Sequence, residues 1–145
     1  FSARQPSAPT IKHPFIHTDF SDDFIQIELC QPALMPRLNK HAKAVVLLAY
    51  GSGNLPPTWN DFLQQCQTQN IPLILTSQVE QGGLALTRYN TQLSLSNSPD
   101  QRQHIAIFCN NYFSLAATLT SIRYCLASNQ DTKQSLSYLF DQILL

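Results

Sequence analysis

Apolar and polar positions along the chain fall into short runs whose periods predict alternating strands and helices. Residues 24–30 (FIQIELC) alternate as a half-buried strand does. Residues 43–50 (KAVVLLAY) form a continuous apolar run of strand length, which suits a central parallel strand covered on both faces. Residues 71–76 (IPLILT) and 104–109 (HIAIFC) read as two further buried strands. Trp59, Phe62, Leu63 and Cys66 recur at i, i+3, i+4 and i+7, the stripe of a helix that Thr58 is placed to cap and Asn70 to end. Residues 114–127 carry a second stripe, Leu115, Leu119, Ile122 and Leu126. A third helix is expected over residues 132–145 from Leu136, Leu139, Phe140 and Ile143. A short helix over residues 33–40, interrupted at Pro36, completes the set. Strand, helix and strand across residues 43–76 make a right-handed βαβ unit. The expected fold is therefore α/β, a small open sheet of about four parallel strands flanked by helices.

Residues 1–14 carry three prolines without apolar periodicity and read as an extended lead-in or linker, leaving 15–145 as one α/β domain. Residues 77–100 are polar, contain glycine and show no clear period, as functional or capping loops do. The chain begins at Phe1 without a methionine, and a piece of a longer protein is expected.

Composition narrows the function classes. With 145 residues and 43% hydrophobic content the chain can bury a full core without disulfides or metals. Nine Lys and Arg balance nine Asp and Glu, so no electrostatic footprint for nucleic acid or an anionic membrane is present. No apolar run approaches the roughly 18 residues of a membrane span. Cys30, Cys66, Cys109 and Cys125 are far apart, with no CxxC pair, and three of them sit in or beside apolar stretches, where a free thiol behaves as a small hydrophobe. His13, His17, His41 and His104 have neither HxH nor HExxH spacing, so no metal or other cofactor is expected. Reduced thiols and the lack of a glycosylation sequon fit a cytoplasmic setting.

Ligands of open parallel sheets bind at the carboxyl ends of the strands. Two segments qualify: Gly51, Ser52, Gly53 and Asn54 after the strongest strand, and Ser77 and Gln78 after the next. The glycines let backbone amides turn toward a ligand, and Asn54 can both donate and accept. The same residues also suit a plain strand-to-helix turn. Asp22 and Asp23 are adjacent, face opposite ways, and fit a turn better than a carboxylate pair. GSGN is neither a GxSxG nucleophile elbow nor a P-loop. No catalytic residue emerges from spacing.

The segments VVLLAYGSGNLP and IPLILTSQVEQGGLALTRY, one βαβ unit apart, resemble the smaller, C-terminal domain of bacterial-type L-asparaginases. FIQIELCQPALMPRL and IAIFCNNYFSLAATLTSIRYCLAS resemble the segments that flank them in that family, and the likeness is greatest to its cytoplasmic type I members. The resemblance implies the C-terminal part of an enzyme that hydrolyses L-asparagine to L-aspartate and ammonia. The catalytic threonines, with an Asp and a Lys, would then lie in a separate N-terminal domain that this chain lacks. The C-terminal domain would build a homo-oligomer and lend residues to a neighbouring active site, being inactive alone. Asn54, with Gly53 and Ser52, matches the family asparagine that reaches toward the partner's substrate.

The chain departs from the family pattern at several positions. An Arg and a Cys of the type I effector site are replaced by Leu48 and Val79, and leucine cannot pair with a carboxylate, so that effector site is expected to be lost. The glycine expected three residues after Tyr89 is Gln92. The Gly-rich loop of the last strand has become AIFCNNYFS over residues 106–114. These losses also suit a non-catalytic binding or oligomerisation module descended from asparaginase. A subunit of a tRNA-dependent amidotransferase is disfavoured by the lack of basic surplus.

Overall fold

The computed structural model describes residues 21–51, 53–78, 106–128 and 131–144. The proline-rich lead-in and the predicted loops over residues 79–100 lie outside them, as do Ser52, Val79, Tyr89 and Gln92. Five strands form one sheet in chain order: β1 (Phe24–Leu29), β2 (Ala42–Ala49), β3 (Leu73–Ser77), β4 (Ala106–Asn110) and β5 (Asp141–Leu144). The first four are parallel, and β5 runs antiparallel to β4. Three helices accompany them: α1 (Asn60–Thr68), α2 (Leu115–Ala127) and α3 (Thr132–Leu139).

Alternation in the strands divides the core in two. Val45, Leu47 and Ala49 of β2, with Leu73, Leu75, Ile107 and Cys109, pack against Trp59, Phe62, Leu63 and Cys66. Ala44, Val46, Ile74 and Phe108 face the opposite way and pack on Ile122 and Cys125 of α2 and Leu136 of α3. The uninterrupted apolar run of β2 thus serves two helical layers, the situation that such runs signal. The four cysteines are buried and free, shared between the two cores.

Three helical expectations are corrected. Residues 33–40 form no helix: Pro32 and Pro36 remove two backbone donors, and the segment is pinned as irregular chain. The Trp59 indole donates to the Leu34 carbonyl at 2.7 Å. Gln26, buried within β1, donates to the Arg37 carbonyl and accepts from the Asn39 amide, each at 2.8 Å. Thr58 is not an N-cap, because Pro57 opens a single 3-10 turn, Pro57–Trp59, from which α1 continues at Asn60 without a side-chain cap. Asn70 does end α1, adopting a left-handed φ of 58°. The last helix stops at Leu139, and Phe140 is extended and buried, sending the chain back along β4 as β5. A stripe at 136, 139, 140 and 143 cannot separate these outcomes, since the first three positions satisfy a helix and the fourth lies on a strand. Pairing supplies hydrogen-bond partners to the edge that β4 would otherwise leave open.

Candidate functional site

The carboxyl ends of the parallel strands carry the features that the spacing singled out. Beyond β2 the chain reverses in a tight turn closed by a two-way bridge between Tyr50 and Asn54. The Tyr50 carbonyl accepts from the Gly53 amide at 2.7 Å and the Asn54 amide at 3.3 Å, while the Tyr50 amide donates to the Asn54 carbonyl at 3.2 Å. Gly53 has φ 111° and Gly51 φ 36°. The first value lies in a region that L side chains rarely enter, so glycine is needed at Gly53 for the reversal. Asn54 emerges half-buried with its backbone fully engaged, and its side-chain amide makes no hydrogen bond among the described residues.

Ser77 and Gln78 brace this turn. The Ser77 hydroxyl donates to the Gly51 carbonyl at 2.5 Å. The Gln78 side chain donates through Nε2 to the Leu48 carbonyl at 2.7 Å and the Cys30 carbonyl at 3.2 Å, while its amide donates to the Ala49 carbonyl. The nitrogen of Gln78 is therefore committed to tying together the ends of β1 and β2.

Beside the turn lies a cleft of about 700 Å³. Leu29, Leu48, Thr76, Ser77 and Gln78 form one side, and residues 110–115, the connection from β4 to α2, form the other. Asn110 is the organiser of that connection. It is buried, its Oδ1 accepts from the Phe113 amide at 2.9 Å and the Tyr112 amide at 3.3 Å, and its Nδ2 donates to the Phe113 carbonyl at 2.8 Å. The same nitrogen reaches the Thr118 hydroxyl at 2.8 Å and the Thr76 hydroxyl at 3.2 Å. Thr118 in turn donates to the Ser114 carbonyl, and Ser114 caps α2 by accepting from the Ala117 amide. Asn110 was not singled out by spacing. Applying the carboxyl-end rule to the fourth strand as well as to the second and third would have found it.

The Asp23 carboxylate accepts from the Ser21 hydroxyl at 2.6 Å, and the Asp23 amide donates to that hydroxyl at 3.0 Å. Burial pushes the thiols of Cys30, Cys66 and Cys109 up to about 12 and that of Cys125 to about 11; Glu28 adds to the rise at Cys30 and Cys66 and Asp141 at Cys109, while a backbone hydrogen bond opposes it at Cys66. They are protonated packing groups at neutral pH. Among the described residues no three His, Cys, Asp or Glu side chains come together as a metal cage would require. No helix of those residues is long and apolar enough to cross a membrane.

A largely parallel sheet between two helical layers, with a glycine turn carrying an asparagine beside a carboxyl-end cleft, defines a small α/β domain. The family model for the glutaminase/asparaginase C-terminal domain matches residues 27–139, and the chain belongs to that family. Its fold is similar to L-asparaginase I from Vibrio cholerae O1 biovar eltor, with a TM-score of 0.65 and 18% sequence identity over 86% of this chain and 37% of that one. It is also similar to the thermostable L-asparaginase from Thermococcus kodakarensis, with a TM-score of 0.63 and 19% identity over 82% and 36% of the two chains. The chain thus spans little more than a third of the length of either enzyme. No curated protein matches it.

Proposed function

We propose that this chain is the C-terminal part of an L-asparaginase-like amidohydrolase of the cytoplasm, in which L-asparagine and water give L-aspartate and ammonia. Its share of the work is to associate with further copies and to offer Asn54, with Ser52 and Gly53, to an active site whose threonine nucleophile stands on a separate N-terminal domain. Family membership supports the reaction class. The observation that carries the role of Asn54 is its side-chain amide, which has no hydrogen-bond partner among the described residues although the turn beneath it is fixed by four hydrogen bonds, three within Tyr50–Asn54 and one from Ser77 to Gly51. A side chain held by rigid backbone and left without a partner is preorganised for a ligand. Ser77 and Gln78 support the turn in this reading, and Ser77 lies close enough to the Gly51 carbonyl to transmit any displacement.

The test is ammonia release from L-asparagine by the longer polypeptide that contains this domain and by the 145-residue chain alone. Activity is expected only in the longer protein, and Asn54→Ala is expected to lower kcat/KM about tenfold or more while leaving the domain's unfolding midpoint in place. Turnover by the isolated chain would refute the shared-site reading. An inactive longer protein would favour the other reading, a binding or oligomerisation module that kept the fold without the chemistry.

A further inference from the structure

We propose that the outer edge of β1 is the joint through which two copies of this chain associate, the two β1 strands pairing antiparallel about a two-fold axis at Ile27. The inference deepens the association proposed above by naming its surface, and it rests on that part of the reading alone.

β1 stands at one end of the sheet, with β2 as its neighbour among the described residues. The register fixes which of its peptide groups are taken. The Cys30 amide donates to the Leu48 carbonyl, and Leu48 stands opposite Leu29, so in this parallel ladder residues 26, 28 and 30 turn their peptide groups toward β2. Ile25, Ile27 and Leu29 turn theirs outward, where they have no hydrogen-bond partner among the described residues. The edge also lacks the usual devices against pairing. Phe24–Leu29 contains neither proline nor lysine, and its register shift falls at the first residue, whereas the opposite edge, β5, is only four residues long.

Apolar exposure gathers on both faces of this edge. Ile25 enters the core beneath α2 and α3, so Ile27 and Leu29, each 42% exposed, lie on that face. Cys30 enters the core beneath α1, and Phe24, 47% exposed, shares its face. Exposed Leu34 and Met35 stand on the same side, in the segment that Trp59 of that core holds through the Leu34 carbonyl. Patches of this kind mark association surfaces.

The strand is complementary to itself in one register. A two-fold axis at Glu28 would set that carboxylate against its own copy, and an axis at Gln26 would set Asp23 against Leu29. An axis at Ile27 places Ile27 against Ile27, Ile25 against Leu29, Gln26 against Glu28 and Asp23 against Gln31. Apolar side chains then meet apolar ones, and the one ionisable side chain of β1 meets an amide. The three outward amides and three outward carbonyls of each copy are all used, making six hydrogen bonds across the joint. Phe24 falls opposite Cys30 of the second copy, on the face that carries Leu34 and Met35. Such self-complementarity is what a closed two-fold interface requires, and it selects a second copy as the occupant.

The test is sedimentation velocity of the 145-residue chain over a concentration series, with two variants. Ile27→Pro removes an outward amide and no β1–β2 bond, and Ile27→Lys sets two cations at the axis. A monomer–dimer equilibrium is expected for the chain, and each substitution is expected to raise the dimer Kd about tenfold or more while the circular dichroism spectrum stays that of the fold. Register is read by disulfide trapping with oxidised glutathione as the oxidant; the four native thiols are buried and do not compete. Opposed Cα atoms at the axis would be about 5.5 Å apart, within disulfide reach, so Ile27→Cys is expected to crosslink at least about tenfold faster than Glu28→Cys. Faster crosslinking through Glu28→Cys overturns the proposal. A dimer indifferent to both Ile27 substitutions overturns the β1 joint and leaves association standing. A chain that stays monomeric throughout also overturns the joint, and the oligomeric state of the longer protein then decides association separately.

Discussion

Replacing Asn110 by alanine tests whether one buried side chain holds the β4–α2 connection in place. The substitution removes three short hydrogen bonds, to the Phe113 carbonyl, the Thr118 hydroxyl and from the Phe113 amide, at 2.8, 2.8 and 2.9 Å. Two longer ones to Thr76 and Tyr112 go with them. At about 1 kcal/mol net for each short bond and a few tenths for each long one, the expected loss is about 3–4 kcal/mol. Water can rehydrate the Tyr112 and Phe113 backbone, since both residues are exposed, and this holds the loss near the lower figure. Thr118 is fully buried but keeps its bond to the Ser114 carbonyl, so its hydroxyl is not stranded. The assay is urea unfolding followed by the fluorescence of the single tryptophan, Trp59, which packs in the core on the other face of the sheet and is not perturbed directly. Coupling is measured by a cycle with Thr118→Val, where about 1 kcal/mol is expected between the two sites. A loss below about 1 kcal/mol for Asn110→Ala, or a cycle that closes to within a few tenths, would refute the reasoning.

The glycine turn and the thiols give two further tests. Gly53→Ala forces an L side chain to φ 111° and is expected to cost about 1–3 kcal/mol, whereas Gly51→Ala should cost about 1 kcal/mol or less. The difference arises because a Cβ at Gly51 meets nothing within 4 Å and its φ of 36° borders the left-handed region; unfolding midpoints in the reverse order would contradict the turn geometry. Burial raises the folded thiols to about 12, or about 11 for Cys125, from an ordinary 9.0, so they stay protonated in the fold while the unfolded chain ionises first. Their contribution is whole below pH 9 and is lost as pH rises through 9 toward 12. Urea midpoints that fall across that range, with thiol-reagent labelling at pH 8 roughly a hundredfold slower in the native than the unfolded chain, are expected.

The legible parts of the fold were those where one signal had one meaning. β2 is apolar at nearly every position, and only a strand covered on both faces uses such a run over so few residues. The α1 stripe was equally plain, since Trp59, Phe62, Leu63 and Cys66 all enter one core. Boundaries were harder, because they are set by local backbone chemistry that periodicity does not sense. Pro57 moved the helix start from Thr58 to Asn60 by favouring a 3-10 turn. Phe140 belongs to the apolar stripe whether the chain continues as helix or leaves it, and only the open edge of β4 decides for β5.

The same distinction separates Asn54 from Asn110. Asn54 follows two glycines, a local pattern that announces a reversal, and φ values at both glycines bear the reversal out. Asn110 stands in an Asn-Asn pair that reads as ordinary loop, yet its partners Thr76 and Thr118 are 34 and 8 residues away in the chain. No window along the sequence contains that triangle. It exists because β3 and β4 pair in parallel, with Thr76 opposite Asn110, while α2 folds back over them. Asparagine suits the vertex because one carbonyl oxygen answers the two loop amides while one nitrogen faces acceptors on three sides. An aspartate there would keep the amide bonds and lose every donor bond. A leucine would fill the space and lose them all. The residue that shapes the cleft is therefore specified by register, and register is what a single sequence reveals least.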